Sequence, residues 1–243
     1  MHQTFDFSNF SLQWAMPPYS QSHYPEPVMV FNSASGQDEL EEFEVSAVPS
    51  TFTKKVLIEE FTGAWCGYCP DGAYRLETLI DNNDGKVIGV GLHRGDAMEI
   101  PHTDYLETTY KSSGFPSGMV DRVSYNGNVT LNRGYWEYIT NIQLSDTAIC
   151  GLAIKSEVNG KNATIEVHAG VSTNLSRDYR LSVYLIEDDV SGIGYGYDQV
   201  NYYDTDSSSP FYGLGDPIDD YEHNHIVREV LSESRGEELV HQL

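Results

Sequence analysis

The first half of the chain alternates between strand-like apolar runs and apolar residues at helical spacing. An apolar run at 56–58 is typical of a buried strand. Apolar residues three and four positions apart then predict a helix that carries Ala73, Leu76, Leu79 and Ile80. The same reasoning predicts a strand at 86–92, a helix at 104–111, a strand that begins near Pro116 and a helix at 131–142. This alternation predicts a unit of mixed strands and helices.

From residue 148 the apolar positions change to a period of two. The alternation covers 148–154 and 165–171, and Asn159-Gly160 between them predicts a hairpin. Two further strands are predicted near 181–185 and 227–231. Short alternating strands separated by turns predict an antiparallel β-sandwich. A sandwich usually needs more strands than these, so we expect either that the N-terminal segment completes the sheet or that the C-terminal end is truncated.

These patterns divide the chain into three parts. Residues 1–50 show no clear period, contain five prolines and are interpreted as a linker or a partial domain. Their many aromatic residues either pack on the rest of the protein or mark a truncated upstream domain. Residues 51–145 are predicted to form an α/β domain, and residues 146–243 a β-rich, sandwich-like domain.

The net charge of the chain excludes some classes of molecule as binding partners. Fourteen Lys and Arg against 37 Asp and Glu give a formal net charge of −23. Such an acidic surface argues against binding to nucleic acid, which requires clustered Lys and Arg, and against adsorption to anionic lipid. No stretch approaches the roughly 20 apolar residues of a membrane-spanning helix. Residues 1–20 also lack the basic start and apolar run of a signal peptide.

Residues 187–222 are predicted to form a long acidic loop that contains many tyrosines and no Lys or Arg. Loops of this length in a compact domain are usually functional or disordered. Carboxylates here offer oxygen ligands for calcium, but Asp204 and Asp206 lack the spacing of a full EF-hand loop. A solvated loop is therefore favoured over a metal site. The tyrosines suit either a contact surface or packing on the second domain.

Cys66 and Cys69 are the candidate reactive residues, since they lie between the first predicted strand and the first predicted helix. A thiol at a helix N-terminus meets unpaired N–H groups and the positive end of the helix dipole, and both lower its pKa. A second cysteine one turn later can resolve a mixed disulfide. The one further cysteine, Cys150, lies on the apolar face of a strand and is predicted to be a buried free thiol. A four-ligand zinc site is therefore not expected.

The flanking residues carry a resemblance to a known fold. Trp65-Cys66-Gly67-Tyr68-Cys69 is similar to the active site of thioredoxins and disulfide isomerases, and residues 54–142 resemble a thioredoxin fold. Pro116 matches the family's cis-proline, which the resemblance places opposite the cysteines. Glu60 matches the position of a buried acid that relays a proton to the resolving cysteine, although the family usually has Asp there. Trp65 is expected to shield the site.

A closer resemblance covers more of the chain. The segments 56–70, 114–120 and 223–228 are similar to the family related to the twenty-eight-kilodalton outer-membrane protein of Gram-negative bacteria. That resemblance implies an α/β thioredoxin-like domain followed by an antiparallel β-sandwich-like domain. It also implies an exported protein of the periplasm, outer membrane or cell surface. Many members are lipoproteins, so association with the membrane through a lipid anchor is compatible with it.

Two functions follow as hypotheses. The first is a thiol-disulfide oxidoreductase in which Cys66 attacks, Cys69 resolves, Pro116 positions the partner chain and Glu60 relays a proton. Its partners are a protein disulfide or dithiol and a second redox protein, and no cofactor or metal is expected. The second is a non-catalytic surface binding or adhesion protein, in which the two cysteines form a structural disulfide. The Gly-Tyr pair between the cysteines leaves the direction of electron flow open.

Overall fold

The fold was examined in a computed structural model that describes residues 10–11, 52–159, 162–171, 180–232 and 235–238. The N-terminal segment 1–50, predicted as a linker or partial domain, lies outside the described residues except for one two-residue strand. Among the helices of the described ranges, none is long and apolar enough to cross a membrane.

The described chain alternates strands and helices as far as residue 144 and forms only strands after it. The elements are β1 (Phe10–Ser11), β2 (Val56–Thr62), α1 (Cys69–Asp81), β3 (Val87–His93), α2 (Pro101–Tyr110), β4 (Ser117–Val120), β5 (Leu131–Asn132), a 3-10 turn (Arg133–Tyr135) that leads into α3 (Trp136–Leu144), β6 (Cys150–Asn159), β7 (Asn162–Val171), β8 (Arg180–Leu181), β9 (Tyr184–Glu187), β10 (Ile226–Val230) and β11 (Glu237–Glu238).

A mixed sheet organises the molecule, with the strand order β1-β9-β10-β3-β2-β4-β5. The strands β2 and β3 run parallel and are in register from Val56 opposite Val87 to Thr62 opposite His93. The strand β10 is also parallel to β3, whereas β4 pairs antiparallel with β2 and β9 antiparallel with β10. Every residue of β2 and β3 is buried, as expected for central strands covered on both faces.

The described strands of the second half do not form the antiparallel sandwich that the period of two predicted. β9 and β10 join the same sheet as β2. Their apolar residues are covered on both faces, with Ile186 and Val227 fully buried, so these strands need layers on both sides rather than one partner sheet. β6 and β7 form a separate two-stranded hairpin, in register from Cys150 opposite Val171 to Asn159 opposite Asn162. The domain boundary between 145 and 146 stays a prediction.

The two faces of the sheet hold two apolar clusters. On one face α1 and α3 bring Leu76, Leu79, Trp136 and Ile139 against Val56 and Ile58. On the other face α2 brings Leu106 and Tyr110 against a cluster that includes Leu57, Phe61, Tyr184, Ile186 and Val227. Successive residues of β2 therefore serve opposite layers, as the alternation of a strand requires.

The sheet also buries an ion pair that the sequence did not indicate. Arg122 donates two hydrogen bonds of 2.7 Å to the carboxylate of Glu59 in β2, and both side chains are almost fully buried. The same guanidinium donates to the hydroxyls of Tyr110, at 3.2 Å, and Tyr184, at 3.1 Å. Because the bidentate geometry and the two hydroxyls satisfy both charges, the pair can be tolerated in the interior.

Candidate redox site

The two cysteines lie at the junction between the central strand and the first helix. β2 ends at Thr62, the loop 63–68 follows, and α1 begins at Cys69 with Pro70 in its first turn, where a proline costs no hydrogen bond. Cys66 and Cys69 form a disulfide with 5.3 Å between their Cα atoms. The N–H of Cys69 donates to the carbonyl of Cys66 at 3.0 Å, which closes a turn around the bridge.

The disulfide is nearly covered, while aromatic side chains beside it are open to solvent. Cys66 is 5% exposed and Cys69 is 1% exposed. Trp65 and Tyr68, which flank Cys66, are 41% and 52% exposed. A partner would therefore meet an aromatic rim before it reaches the sulfur of Cys66.

Trp65 is held in place by two other loops. Its Nε1 donates to the carbonyl of Arg94, just after β3, at 2.5 Å. Its ring lies 5.4 Å, centroid to centroid, from the ring of Phe115. The indole thus connects the cysteine loop to the loop that carries Pro116, and its shielding role stays a prediction.

Glu60 and Pro116 meet the first turns of α1 at Gly72. The Phe115–Pro116 peptide bond is cis. A side-chain carbon at Gly72 would overlap Oε1 of Glu60 and would lie 2.8 Å from Cβ of Pro116. Glycine at this position therefore allows the strand, the helix and the proline loop to approach closely, three residues after Cys69.

Glu60 is a buried acid without a partner for one of its oxygens. Its side chain is 2% exposed, and Oε1 accepts no hydrogen bond. Burial raises the pKa of this carboxyl well above its usual value, although the positive charge of Arg133 opposes the shift. A carboxylic acid with a raised pKa holds its proton near neutral pH and can act as a proton donor.

Asp71, in the first turn of α1, is fixed by two arginines. Arg75 donates to it at 3.0 Å, and Arg133 donates to the same oxygen. Although burial works in the opposite direction, these hydrogen bonds lower the pKa of Asp71. Arg133 also donates to the hydroxyl of Tyr203 at 2.9 Å. This chain of contacts ties the helix start to the distant loop that follows β9.

That loop returns to the cysteines, which sequence reasoning missed. Gln199, 2% exposed, donates from Nε2 to the carbonyls of Ala64, at 3.1 Å, and Cys66, at 3.0 Å. The backbone N–H of Val200 donates to Ala64 at 2.8 Å, and that of Tyr202 to Gly67 at 3.0 Å. We call residues 199–203 the strap. More than 130 residues separate Gln199 from Cys66, and no local pattern marked it.

The acidic loop is folded by its own hydrogen bonds rather than held open in solvent. Asn201 is 1% exposed and donates to the carbonyls of Phe211, at 3.0 Å, and Gly215, at 2.9 Å. Asp204 accepts from the N–H of Gly215 at 2.7 Å, and Asp216 from that of Asn201 at 2.9 Å. These carboxylates therefore serve as backbone acceptors. Within the described residues, no group of His, Cys, Asp and Glu has a metal-binding arrangement.

A buried His–Asp pair supports the other side of the cysteine loop. Nδ1 of His93, at the end of β3, lies 2.6 Å from Oδ2 of Asp96, which also accepts from the N–H of Ala64 at 2.8 Å. Burial alone would raise the pKa of Asp96, but its hydrogen bonds and the charge of His93 lower it. The ring of His223 lies 5.1 Å from that of His93, and burial lowers the pKa of His223 to about 4.

Cys150 takes no part in the disulfide. It is a free, buried cysteine at the start of β6, as predicted. Burial raises the pKa of its thiol to about 11, so the thiolate is scarce near neutral pH.

The comparison with protein families shows to which family the chain belongs. The model of the family "Outer membrane protein Omp28" matches residues 103–242, more than half of the chain. The chain belongs to the Omp28 outer membrane protein family. Membership identifies an exported protein of the outer membrane or cell surface, as the sequence resemblance implied.

One solved structure is similar in fold. HBP35 of Porphyromonas gingivalis is similar with a TM-score of 0.59 and 24% identity, over 78% of this chain and 60% of that chain. The chain thus spans about 60% of the length of that protein, and the likeness supports an α/β fold. A protein of Agrobacterium tumefaciens has a TM-score of 0.38 and 15% identity, over 72% of this chain and 70% of that one. Among curated proteins, none matches this member of the Omp28 family.

Proposed function

We propose that the chain is a thiol-disulfide oxidoreductase of the cell envelope that acts through Cys66 and Cys69. The observation that carries the proposal is the meeting at Gly72 of Glu60, Pro116 and the helix that begins at Cys69. An unpartnered buried acid costs stability, so its presence against the helix that begins at Cys69 is better explained by chemistry than by packing.

The strand order supports a thioredoxin-like core. β3, β2, β4 and β5 are adjacent in that order, with β2 and β3 parallel and β4 antiparallel to β2. The elements α1, α2 and α3 connect or follow these strands. This arrangement is similar to a thioredoxin fold, to which β9 and β10 add two strands beyond β3.

The proposed reaction is a two-electron exchange. In the dithiol form, the Cys66 thiolate attacks a partner disulfide, forms a mixed disulfide and releases one partner thiolate. Cys69, as thiolate, then attacks the Cys66 sulfur, which closes the bridge and releases the second partner thiolate. Two electrons pass to the partner, whose thiolates take up protons. In the reverse direction the partner dithiol opens the bridge, and Glu60 supplies a proton to Cys69.

The short loop that the disulfide closes also favours a redox role over a structural role. The disulfide closes a loop of only four residues, 66–69. On the chain-entropy relation, such a loop stabilises the folded state by only about 2 kcal/mol. A structural disulfide stabilises the folded state more when its two cysteines lie further apart in sequence.

A second candidate is a non-catalytic surface-binding protein with a structural bridge. The low exposure of Cys66 and Cys69, 5% and 1%, favours it, since an incoming thiolate must reach the sulfur. Exposed tyrosines beside the bridge, such as Tyr68 and Tyr202, at 52% and 59%, suit a contact surface in either case.

The two candidates differ in turnover. We expect the wild-type protein to catalyse the reduction of a synthetic peptide disulfide by dithiothreitol, followed by mass spectrometry. After reduction and removal of dithiothreitol, Cys69→Ser should accumulate a mixed disulfide between Cys66 and the peptide, visible on a non-reducing gel. Cys150→Ser is the matched control and should turn over like the wild type. A rate no higher than that with Cys66→Ser would overturn the enzyme proposal and leave the structural bridge.

A further inference from the structure

The strap lies against the cysteine loop, and three of its donors form hydrogen bonds with carbonyls of that loop. Gln199 Nε2 donates to Ala64 and Cys66, while the N–H groups of Val200 and Tyr202 donate to Ala64 and Gly67. The N–H of Cys66 itself donates to Gly63. The carbonyls of Gly63, Ala64, Cys66 and Gly67 therefore accept hydrogen bonds that do not depend on the S–S bond.

Gln199 is fixed from its own side as well. Its backbone exchanges two hydrogen bonds with Ile218, N–H to carbonyl in both directions, at 3.1 and 2.8 Å. Its side-chain amide also contacts the carbonyl of Val200 at 3.0 Å. A buried amide with both ends anchored has little freedom to follow a moving loop, so it favours one backbone shape of the cysteine turn.

The strap leaves no room at Gly67, between the cysteines. A side-chain carbon there would overlap the ring of Tyr202. The Tyr202 ring also meets that of Tyr68 edge to face, with 5.2 Å between centroids. The Tyr202 side chain and the hydrogen bonds of the strap thus confine the cysteine turn.

We propose that Gln199 is a positioning residue that sets the reduction potential of the Cys66–Cys69 couple. It keeps the turn in the geometry of the disulfide after the bridge opens, so the two thiols stay close and re-form the bond readily. Preorganised thiols favour the oxidised form and make the potential more negative. The importance of Gln199 for catalysis rests on the proposed oxidoreductase activity. Its effect on the reduction potential does not, because every disulfide has a reduction potential.

The potential can be measured against glutathione. The bridge takes two electrons and two protons from two glutathione thiols, which join as glutathione disulfide. The oxidised fraction is read at fixed glutathione ratios after alkylation of free thiols, in a Cys150→Ser background. Gln199→Ala removes the amide, and we expect the equilibrium constant for forming the bridge to fall about tenfold, which corresponds to a potential about 30 mV less negative.

Three variants separate positioning from general stability. Gln199→Asn keeps a shortened amide and should shift the constant less than Gln199→Ala, so it also serves if the alanine variant does not fold. Gln143→Ala changes the same residue type on α3 and should leave the constant at the wild-type value. Leu79→Ala weakens the core away from the strap and should lower the melting temperature without moving the potential.

The outcomes are distinct. A potential that moves with Gln199→Ala and stays with Leu79→Ala supports the proposal, whether or not the protein turns over a peptide disulfide. The proposal is overturned if the equilibrium constants of Gln199→Ala and Gln199→Asn both lie within a factor of three of the wild-type constant. Failure of turnover with a shifted potential would overturn the oxidoreductase function alone.

Discussion

Glu59 and Glu60 are neighbours in β2 and both are buried, but their side chains have different environments. Glu59 faces the layer of α2 and is held by the two nitrogens of Arg122. Glu60 faces α1 and has an oxygen without a partner, and burial raises the pKa of its carboxyl well above its usual value. A strand alternates its side chains between faces, so one short sequence supplies both a structural charge and a candidate proton donor.

Neutralising these two acids should have different effects on stability. Glu59→Gln leaves the Arg122 guanidinium buried without a counter-charge, and we expect the free energy of unfolding at pH 7 to fall by about 3–5 kcal/mol. Glu60→Gln replaces an acid whose neutral form burial favours, and it should change this free energy by less than about 1 kcal/mol. Urea unfolding followed by circular dichroism measures both. Equal losses would contradict the assignment of opposite roles.

His225 gives the protein a pH-dependent contact. Burial opposes its charge, but Asp188, 3.1 Å from Nδ1, and Glu77, 2.9 Å from Nε2, raise the pKa of the imidazole to about 9. Since the folded pKa is above the unfolded value of about 6.5, the stabilisation is complete below pH 6.5 and is lost as the pH rises through 9.

We therefore expect His225→Asn to cost about 3 kcal/mol of unfolding free energy at pH 6 and much less at pH 10. Asparagine suits the positive φ of 59° at this position, so the backbone should not add to the loss. His168→Asn, at an exposed position in β7, is the control and should cost little at either pH. A His225→Asn loss of the same size at pH 6 and pH 10 would refute the ionic explanation.

At this scale the sequence predicts residues whose signals are local. Trp65, Cys66 and Cys69 lie close together in the chain, whereas Glu60 and Pro116 are identified by the resemblance to the thioredoxin family. The structure brings Glu60 and Pro116 together at Gly72, while their catalytic roles remain predictions. Gln199 carried no signal, because a single glutamine in an acidic loop acquires its contacts only through long-range folding.

At the scale of elements, the helix α1 and the strap enclose the cysteine loop from two directions. The helix start is fixed by Asp71 and its arginines, and the strap by Gln199 and by backbone donors. Gly67 lies between them with the ring of Tyr202 against it. The loop therefore behaves as part of the packed body rather than as a surface turn.

Gly67→Ala tests this contact. The added methyl group would collide with the Tyr202 ring, and we expect a loss of about 1–3 kcal/mol in unfolding free energy as the strap is displaced. Gly134→Ala is the matched control, since the nearest atom to its added carbon is 3.4 Å away at Asn132. Thermal unfolding compares the two variants. If Gly67→Ala is as stable as Gly134→Ala, the strap yields easily and does not brace the loop.

Strong local periodicity made most of the elements predictable. The predicted positions of β2, β3, α1 and the β6–β7 hairpin match the structure, although β2 extends to Thr62 and β6 to Asn159, while α2 begins three residues before its predicted start, at Pro101. The predicted helix at 131–142 begins instead as β5 and a 3-10 turn capped by Asn132. The placement of β9 and β10 was missed, because a period of two does not say which sheet a strand joins.

At the scale of the whole molecule, the formal charge of −23 opposes compaction. We expect the melting temperature to rise by several degrees when the salt concentration is raised from about 0.02 to about 0.5 M, because exposed like charges are screened. Differential scanning calorimetry in sodium chloride and in potassium chloride should give the same increase. An increase with only one salt would indicate specific ion binding instead of screening.

The sheet crosses the boundary predicted between residues 145 and 146. A fragment of residues 52–145 would lack Tyr184, Ile186 and Val227, which belong to the cluster around Leu57 and Leu92. We expect this fragment to lack cooperative thermal unfolding, whereas residues 52–243 should unfold cooperatively. A fragment with a sharp transition and dispersed amide NMR signals would support an independent domain ending at residue 145.

The position of β10 has a consequence for the order in which the protein matures. This strand lies between β3 and β9, yet it is made more than 130 residues after β3. During synthesis, the edge of β3 that pairs with β10 stays unpaired until residues 226–230 have been made. Contacts between distant residues form slowly, so the earlier segments remain extended and accessible to chaperones. Late closure of the sheet is therefore expected to make folding slow.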